Sequence, residues 1–362
     1  MNDKSRISGS GKETRTLIRR DTLFRFATVF FIIFPPLFIT EISLRVFNLA
    51  PRISKGANIF IKDRYLPYLP RPYSKIYLEL WTGEKKFLCE HNSVGLRDEE
   101  HSFNKPDGVF RILALGDSYT YGLGVDFRES YLARLEDMLN KIQGRHPKVE
   151  IIKAGIPAFF PEPERIFLEH YGVKYHPDLI LVAFLPNDVI DTYSGFGSLR
   201  VEKNGYLEIF SDKIFFSIFR FLYRYSYLCR LVIRFFTPWF TLKYCHWVDV
   251  YKNNGQHEGS WKKVESEYSN MHKIANNIGA KLVIIHIPEL KRNLGDINWS
   301  YPAARLSNWC RNNGVFFIDT LVVFEKNKMN SLYWKEGHCN SLGHKIIAET
   351  IYFGLIKENL VP

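Results

Sequence analysis

From residue 110 onward, short apolar runs alternate with longer amphipathic stretches. Phe110–Leu115, Val149–Ala154, Asp178–Phe184, Lys281–Ile287 and Val315–Asp319 have the length and content of buried strands. Ser130–Gln143, Glu162–Tyr175, Trp261–Ile278, Pro302–Asn312 and Ser341–Leu360 space their apolar residues as helices do. Strands that alternate with helices demand parallel pairing, with helices covering both faces. The pattern over residues 110–360 therefore predicts an α/β fold, a flavodoxin-like three-layer α/β/α sandwich on a five-stranded parallel sheet.

The alternation breaks once, at an insertion over residues 193–260. Within it, Ile214–Phe240 is dense in Phe, Tyr, Leu and Arg and ends at Pro238. On a helix at about 100° per residue, Lys213, Arg220, Arg224, Arg230 and Arg234 share one arc about 120° wide. Phe215, Phe219, Leu222, Leu228, Val232 and Phe235 cover the rest. Two readings fit: an interfacial helix on a lipid surface, or a helix packed on its own domain with solvated arginines. Upstream, residues 48–109 mix Pro with aromatic residues and read as an extended linker and entry region.

At the N-terminus, Phe26–Ile39 carries no charge, and residues 23–47 extend it to include Arg25, Glu41 and Arg45. A spanning helix needs about 20 mostly apolar residues. The uncharged core is shorter, but Arg25 and Arg45 at its ends can snorkel to the interface, and spanning helices tolerate a Pro35-Pro36 kink. A cleaved signal peptide is the competing reading. No small-x-small cleavage site follows, only Ile39-Thr40-Glu41-Ile42-Ser43, which favours an uncleaved signal-anchor. Basic residues cluster ahead of it, placing residues 1–22 in the cytoplasm as a basic tail and the rest in the periplasm or outside the cell. The formal net charge is +11. Much of that excess precedes an apolar run, which speaks for a membrane partner and against nucleic acid.

The chemistry sits in three blocks. Arg111-Ile112-Leu113-Ala114-Leu115-Gly116-Asp117-Ser118 places a serine on the turn after the first strand. Open α/β sheets put their reactive groups at that carboxyl edge. Leu185-Pro186-Asn187-Asp188 ends the third strand, and Glu336-Gly337-His338-Cys339-Asn340-Ser341-Leu342-Gly343-His344 precedes the last helix. A serine hydroxyl needs a base and oxyanion donors to act as a nucleophile. His338, in a glycine-flanked loop, is the candidate base; His344 fits a capping or packing role, and His286 at the end of the fourth strand has no matched one.

In this order the blocks resemble the SGNH, or GDSL-type, hydrolase superfamily over roughly residues 91–358. The resemblance implies Ser118 as nucleophile, His338 as general base and Glu336 as the acid that orients it. Family members usually carry Asp two or three residues before the histidine. Here those positions hold Glu336 and Lys335, so a longer reach and weaker orientation are expected. It implies an oxyanion hole from the Ser118 N–H, the Asn187 side chain and a glycine after the second strand. The family pattern there is similar to Asn-Ala-Gly-x-Pro-Gly. This chain reads Lys153-Ala154-Gly155-Ile156-Pro157-Ala158, leaving Ala158 in the donor glycine's place with Gly155 beside it. Alanine keeps the N–H but is penalised wherever φ is positive.

Five scattered cysteines (Cys89, Cys229, Cys245, Cys310, Cys339) contain no Cys-x-x-Cys, and nothing in the chain calls for a metal or cofactor. Cys339, beside His338, reads as a small filler. Two functions follow: a membrane-anchored serine esterase or O-acyltransferase acting on acetyl-type esters of cell-envelope carbohydrate, or a degenerate, non-catalytic module binding glycan or a membrane partner. The carbohydrate is implied by the resemblance alone.

Overall fold

The computed structural model describes residues 25, 28, 30–47, 49, 58–80, 82–141, 147–196, 199–201, 207–209, 222, 225–232, 235, 247–253, 255–290 and 297–362. Packing divides the chain into two compact units: residues 1–53 with 213–240, and residues 54–212 with 241–362.

The larger unit is built on five parallel strands: β1 (Val109–Gly116), β2 (Lys148–Gly155), β3 (Leu179–Phe184), β4 (Lys281–His286) and β5 (Phe316–Asp319). Their order across the sheet is β2-β1-β3-β4-β5. Each lies within a residue or two of the apolar run that predicts it. Successive side chains point to opposite faces of a sheet, and both faces here are dry. Leu113, Leu115, Ile180, Val182, Phe184, Leu282 and Ile284 enter one core. Ile112, Ala114, Leu179, Leu181, Ala183, Val283 and Ile285 enter the other. A strand buried on both faces cannot alternate polar with apolar, which is why these segments read as continuous apolar runs.

Helices follow the strands: α1 (Ser118–Tyr121), α2 (Tyr131–Asn140), α3 (Pro161–His170), α4 (Asn187–Ser194), α5 (Glu258–Asn277), α6 (Tyr301–Asn313), α7 (Leu321–Lys326) and α8 (Ser341–Lys357). Phe167 of α3, Trp261 and Tyr268 of α5 and Leu306 of α6 pack on the first core. Leu135 of α2, Phe324 of α7 and Ile347 of α8 pack on the second. The chain steps from β1 out to β2 and back past β1 to β3, so the β1–β3 boundary is where strand order reverses. Crevices in such sheets open there, at the carboxyl ends.

Residues 48–109 read from the sequence as a linker and entry region; their described part, from residue 58, adds its own structure to this unit. They carry two antiparallel ribbons, Phe60–Ile61 with Leu69–Pro70 and Lys75–Glu79 with Lys86–Glu90. Ile59, Phe60, Leu66 and Tyr68 enter the first core. Arg97, buried, donates to the carbonyls of Leu88, Tyr121, Gly122 and Val125. It thereby ties the segment to the end of α1.

In the smaller unit, residues 30–46 are helical through Pro35 and Pro36. Among the described residues no helix is long and apolar enough to cross a membrane. The described helix takes in Glu41 and Arg45, which interrupt its apolar run, so the transmembrane helix expected over 23–47 does not stand out. The basic tail at 1–22 lies outside the described residues. So do Lys213, Arg220, Arg224 and Arg234 of the expected basic arc. Arg230, its described member, is buried, with its guanidinium 4.4 Å from the Tyr227 ring centroid.

Candidate active site

Ser118 is the first residue of α1, directly after β1. Asp117 caps that helix, its carboxylate accepting the Tyr119 N–H at 2.9 Å. The turn is tight because two glycines clear space for it. A Cβ on Gly116 would stand 2.0 Å from the Thr120 hydroxyl, and one on Gly155 would stand 2.2 Å from the Tyr121 nitrogen. Gly116 and Gly155 are paired across β1 and β2. Gly155, a candidate oxyanion donor by sequence, is thus the last residue of β2, and the structure gives it a packing role: α1 rests directly on its backbone.

The Ser118 Oγ lies 2.8 Å from His338 Nε2. On the other side of the ring, Nδ1 lies 2.6 Å from Glu336 Oε1. A carboxylate at Nδ1 holds the proton there, leaving Nε2 to accept the serine hydroxyl. Weak orientation by the longer acid is not what the structure has. The loop folds back on itself: Trp334 N–H donates to the His338 carbonyl at 2.8 Å, and Gly337 N–H to the Trp334 carbonyl at 3.0 Å. Gly337, at φ 117°, makes the turn between acid and base, and Tyr333 and Cys339 bridge at its foot. This hairpin takes up the extra methylene of Glu336, which is nearly buried.

Tyr119 completes the loop's support. Its hydroxyl donates to the Gly337 carbonyl at 2.7 Å, and its ring centroid lies 5.0 Å from that of His338. Sequence reasoning passed over Tyr119 although it follows Ser118 directly; only the fold brings it to a residue 218 positions away.

Asn187 opens α4, after β3. Its Nδ2 donates to Asp117 Oδ2 at 3.3 Å and to Asp191 Oδ2 at 3.2 Å. Both amide hydrogens therefore face carboxylates, at long distances. Burial raises the Asp117 pKa. Burial, with Asp117 nearby, pushes Asp191 up to about 7 against the lowering effect of the Asn187 bond. Ala158 follows β2 at φ 62°, the left-handed conformation that the glycine of the resembled pattern would reach without strain. Because Gly116 is in register with Gly155, and Leu115 with Val182 of β3, the loops bearing Ser118, Ala158 and Asn187 leave the sheet at one edge.

Lys153, in the place of the pattern's Asn, plays no part there. It is buried in a salt-bridge cluster, with Asp98 at 2.9 Å and Glu136 at 2.6 Å. His344 accepts the Tyr131 N–H at Nδ1, and burial drops its pKa to about 3, so it packs as a neutral ring. His286 pairs with Asp319 at 2.7 Å across β4 and β5. Burial raises the Cys339 thiol well above its ordinary range, keeping it a neutral filler. No group of acids, histidines or cysteines among the described residues is suited to hold a metal.

No protein-family model and no curated protein matches the chain. Among solved structures, it is similar to the acetylxylan esterase Axe2 from Geobacillus stearothermophilus, with TM-score 0.44 and 14% identity over 68% of this chain and 94% of that one. TesA matches with TM-score 0.42 and 13% identity over 68% and 97%. A lipolytic protein of the G-D-S-L family from Desulfitobacterium hafniense DCB-2 matches with TM-score 0.40 and 10% identity over 68% and 99%.

Proposed function

We propose that this chain is a serine hydrolase of the SGNH type that cleaves ester bonds through an acyl-enzyme on Ser118. The observation that carries the reading is the hydrogen-bonded chain from Ser118 Oγ to His338 Nε2, at 2.8 Å, and from His338 Nδ1 to Glu336, at 2.6 Å. As Ser118 Oγ attacks the ester carbonyl carbon, its proton passes to His338 Nε2. Glu336 stays ionised and stabilises the imidazolium. The proton then goes to the leaving alcohol oxygen, which departs and leaves the acyl group on Ser118. An incoming hydroxyl gives its proton to His338 and takes the acyl group.

The oxyanion would be held by the N–H groups of Ser118 and Ala158 and by Asn187. For Asn187 this requires one amide hydrogen to turn from a carboxylate to the substrate oxygen. The long bonds to Asp117 and Asp191 make that exchange inexpensive. The substrate we infer is an acetyl-type ester of cell-envelope carbohydrate, with water or a sugar hydroxyl as acceptor. The domain is held to a membrane by residues 23–47, facing the periplasm or the cell exterior. The support for this is the order of the three blocks together with the basic-then-apolar N-terminus.

A fluorophosphonate probe should label the wild type and not Ser118→Ala. Ser118→Ala and His338→Ala should each lower hydrolysis of a short-chain aryl acetate by about three orders of magnitude or more, because such residues act as a unit. The occupied amide hydrogens of Asn187 favour the second reading, a non-catalytic glycan-binding module. A wild type that is neither labelled nor active would exclude the esterase, and binding of an acetylated oligosaccharide by that protein would support the second reading.

A further inference from the structure

The smaller unit holds a charge where its surroundings argue against one. Phe30, Phe31, Ile32, Ile33 and Phe34 are consecutive helical residues, each 48–72% exposed. At about 100° per residue, five consecutive positions cover every direction around the helix. A helix apolar all round belongs in a protein core or in lipid. A protein partner covers one face; hydrocarbon covers all of them. The apolar surface continues through Leu37, Phe38, Ile39 and Ile42, yet Glu41 lies within it.

Glu41 is fully engaged, and the insertion engages it. Its Oε1 accepts the Tyr227 N–H at 2.9 Å and Arg45 Nε at 2.8 Å. Its Oε2 accepts the Leu228 N–H and the Ser226 hydroxyl, both at 2.9 Å. Residues 227–232 are helical, so the carboxylate satisfies two orphan N–H groups at that helix's start and sits at the positive end of its dipole. Arg45 also donates to the Tyr225 carbonyl and lies 5.3 Å from the Tyr227 ring. Leu222, Leu231, Val232 and Phe235 of the insertion stay exposed.

We propose that residues 225–232, with Leu222 and Phe235, enter the lipid bilayer beside residues 30–47, with Glu41 as the helix cap that joins them. The proposal rests on the reading that residues 23–47 anchor the chain, and adds a second lipid-embedded element 180 residues away in sequence. A charge inside a membrane is costly unless a neighbouring helix supplies its partners. Here the insertion supplies three donors and Arg45 the fourth. Arg19, Arg20 and Arg25 precede the apolar run, which suits an anionic headgroup layer.

The test uses the full chain in vesicles of phosphatidylcholine and phosphatidylglycerol. Flotation reports anchoring. A photoreactive apolar diazirine dissolved in the lipid then reports, by mass spectrometry, which peptides face hydrocarbon. Wild type should float and take label in both 30–47 and 222–235. Glu41→Ala should float and keep label in 30–47, while label in 222–235 falls about fivefold, as loss of a helix cap implies. Ser226→Ala, a milder variant, should lose part of it. Label confined to 30–47 in the wild type, or unchanged labelling of 222–235 in both variants, would overturn the proposal and leave the anchor intact. A chain that neither floats nor labels would overturn the anchor reading itself.

Discussion

Ala158 holds φ 62° with a methyl group. A left-handed residue other than glycine costs about 1–2 kcal/mol, while glycine loses about 0.5–1 kcal/mol of extra chain entropy on folding. Ala158→Gly should therefore stabilise the protein slightly, by about 1 kcal/mol or less, and raise or preserve esterase activity. A melting curve and an aryl acetate assay check both; a large loss of activity would show that the methyl group positions the loop. Tyr119 acts on the reaction through His338. Tyr119→Phe removes the bond to the Gly337 carbonyl, a net contribution of about 1 kcal/mol. It should lower kcat several-fold with KM little changed. Glu336→Ala should cost far more, since His338 loses both its tautomer and its orientation. Glu336→Asp, two carbons from its backbone instead of three, should be intermediate in a hairpin fitted to the longer acid.

At the scale of elements, the central strands were the most readable because β3 is buried at every position and β1 and β4 at nearly all, and a continuous apolar run is what that demands. Helix ends were less so: the expected Glu162–Tyr175 is Pro161–His170 followed by a separate turn at Gly172–Tyr175. Ser118, His338 and Glu336, which the fold brings into one hydrogen-bonded chain, could be picked out because the turn after β1 and the loop before α8 carry local sequence signals. What could not be read was whatever depends on long-range approach. Nothing near Arg97 says that its guanidinium will collect four carbonyls, and nothing near Lys153 says that Asp98 will meet it. The packing of α1 on Gly155 was hidden for the same reason, since α1 follows the neighbouring strand β1. Gly155→Ala should push α1 off β2 and cost both stability and Ser118 reactivity, read as a lower melting temperature and slower fluorophosphonate labelling. Lys153→Met takes the shared cation from Asp98 and Glu136, leaving Asp98 with His101 and a backbone N–H and Glu136 with the Ile151 N–H, and should destabilise the protein by about 3 kcal/mol in denaturant unfolding.

For the molecule as a whole, Asp191 sets a pH dependence. Its folded pKa, raised from 3.8 to about 7 chiefly by burial, exceeds the unfolded value. The folded state therefore binds the proton more tightly. The stability this gives is complete below pH about 4 and is lost as pH rises through about 7. Thermal unfolding of the wild type should fall across that window, and Asp191→Asn should flatten the fall. The hairpin that carries Glu336 and His338 has a consequence in time. Base and acid are two residues apart, while the serine they serve is 220 residues earlier. At about 5–20 residues per second of synthesis, Ser118 leaves the ribosome roughly ten to forty seconds before its base exists. Throughout that interval the nascent chain carries an inert alcohol. On the proposed mechanism, reactivity requires the 333–339 hairpin in place, so a chain still being made should not acylate itself or its neighbours.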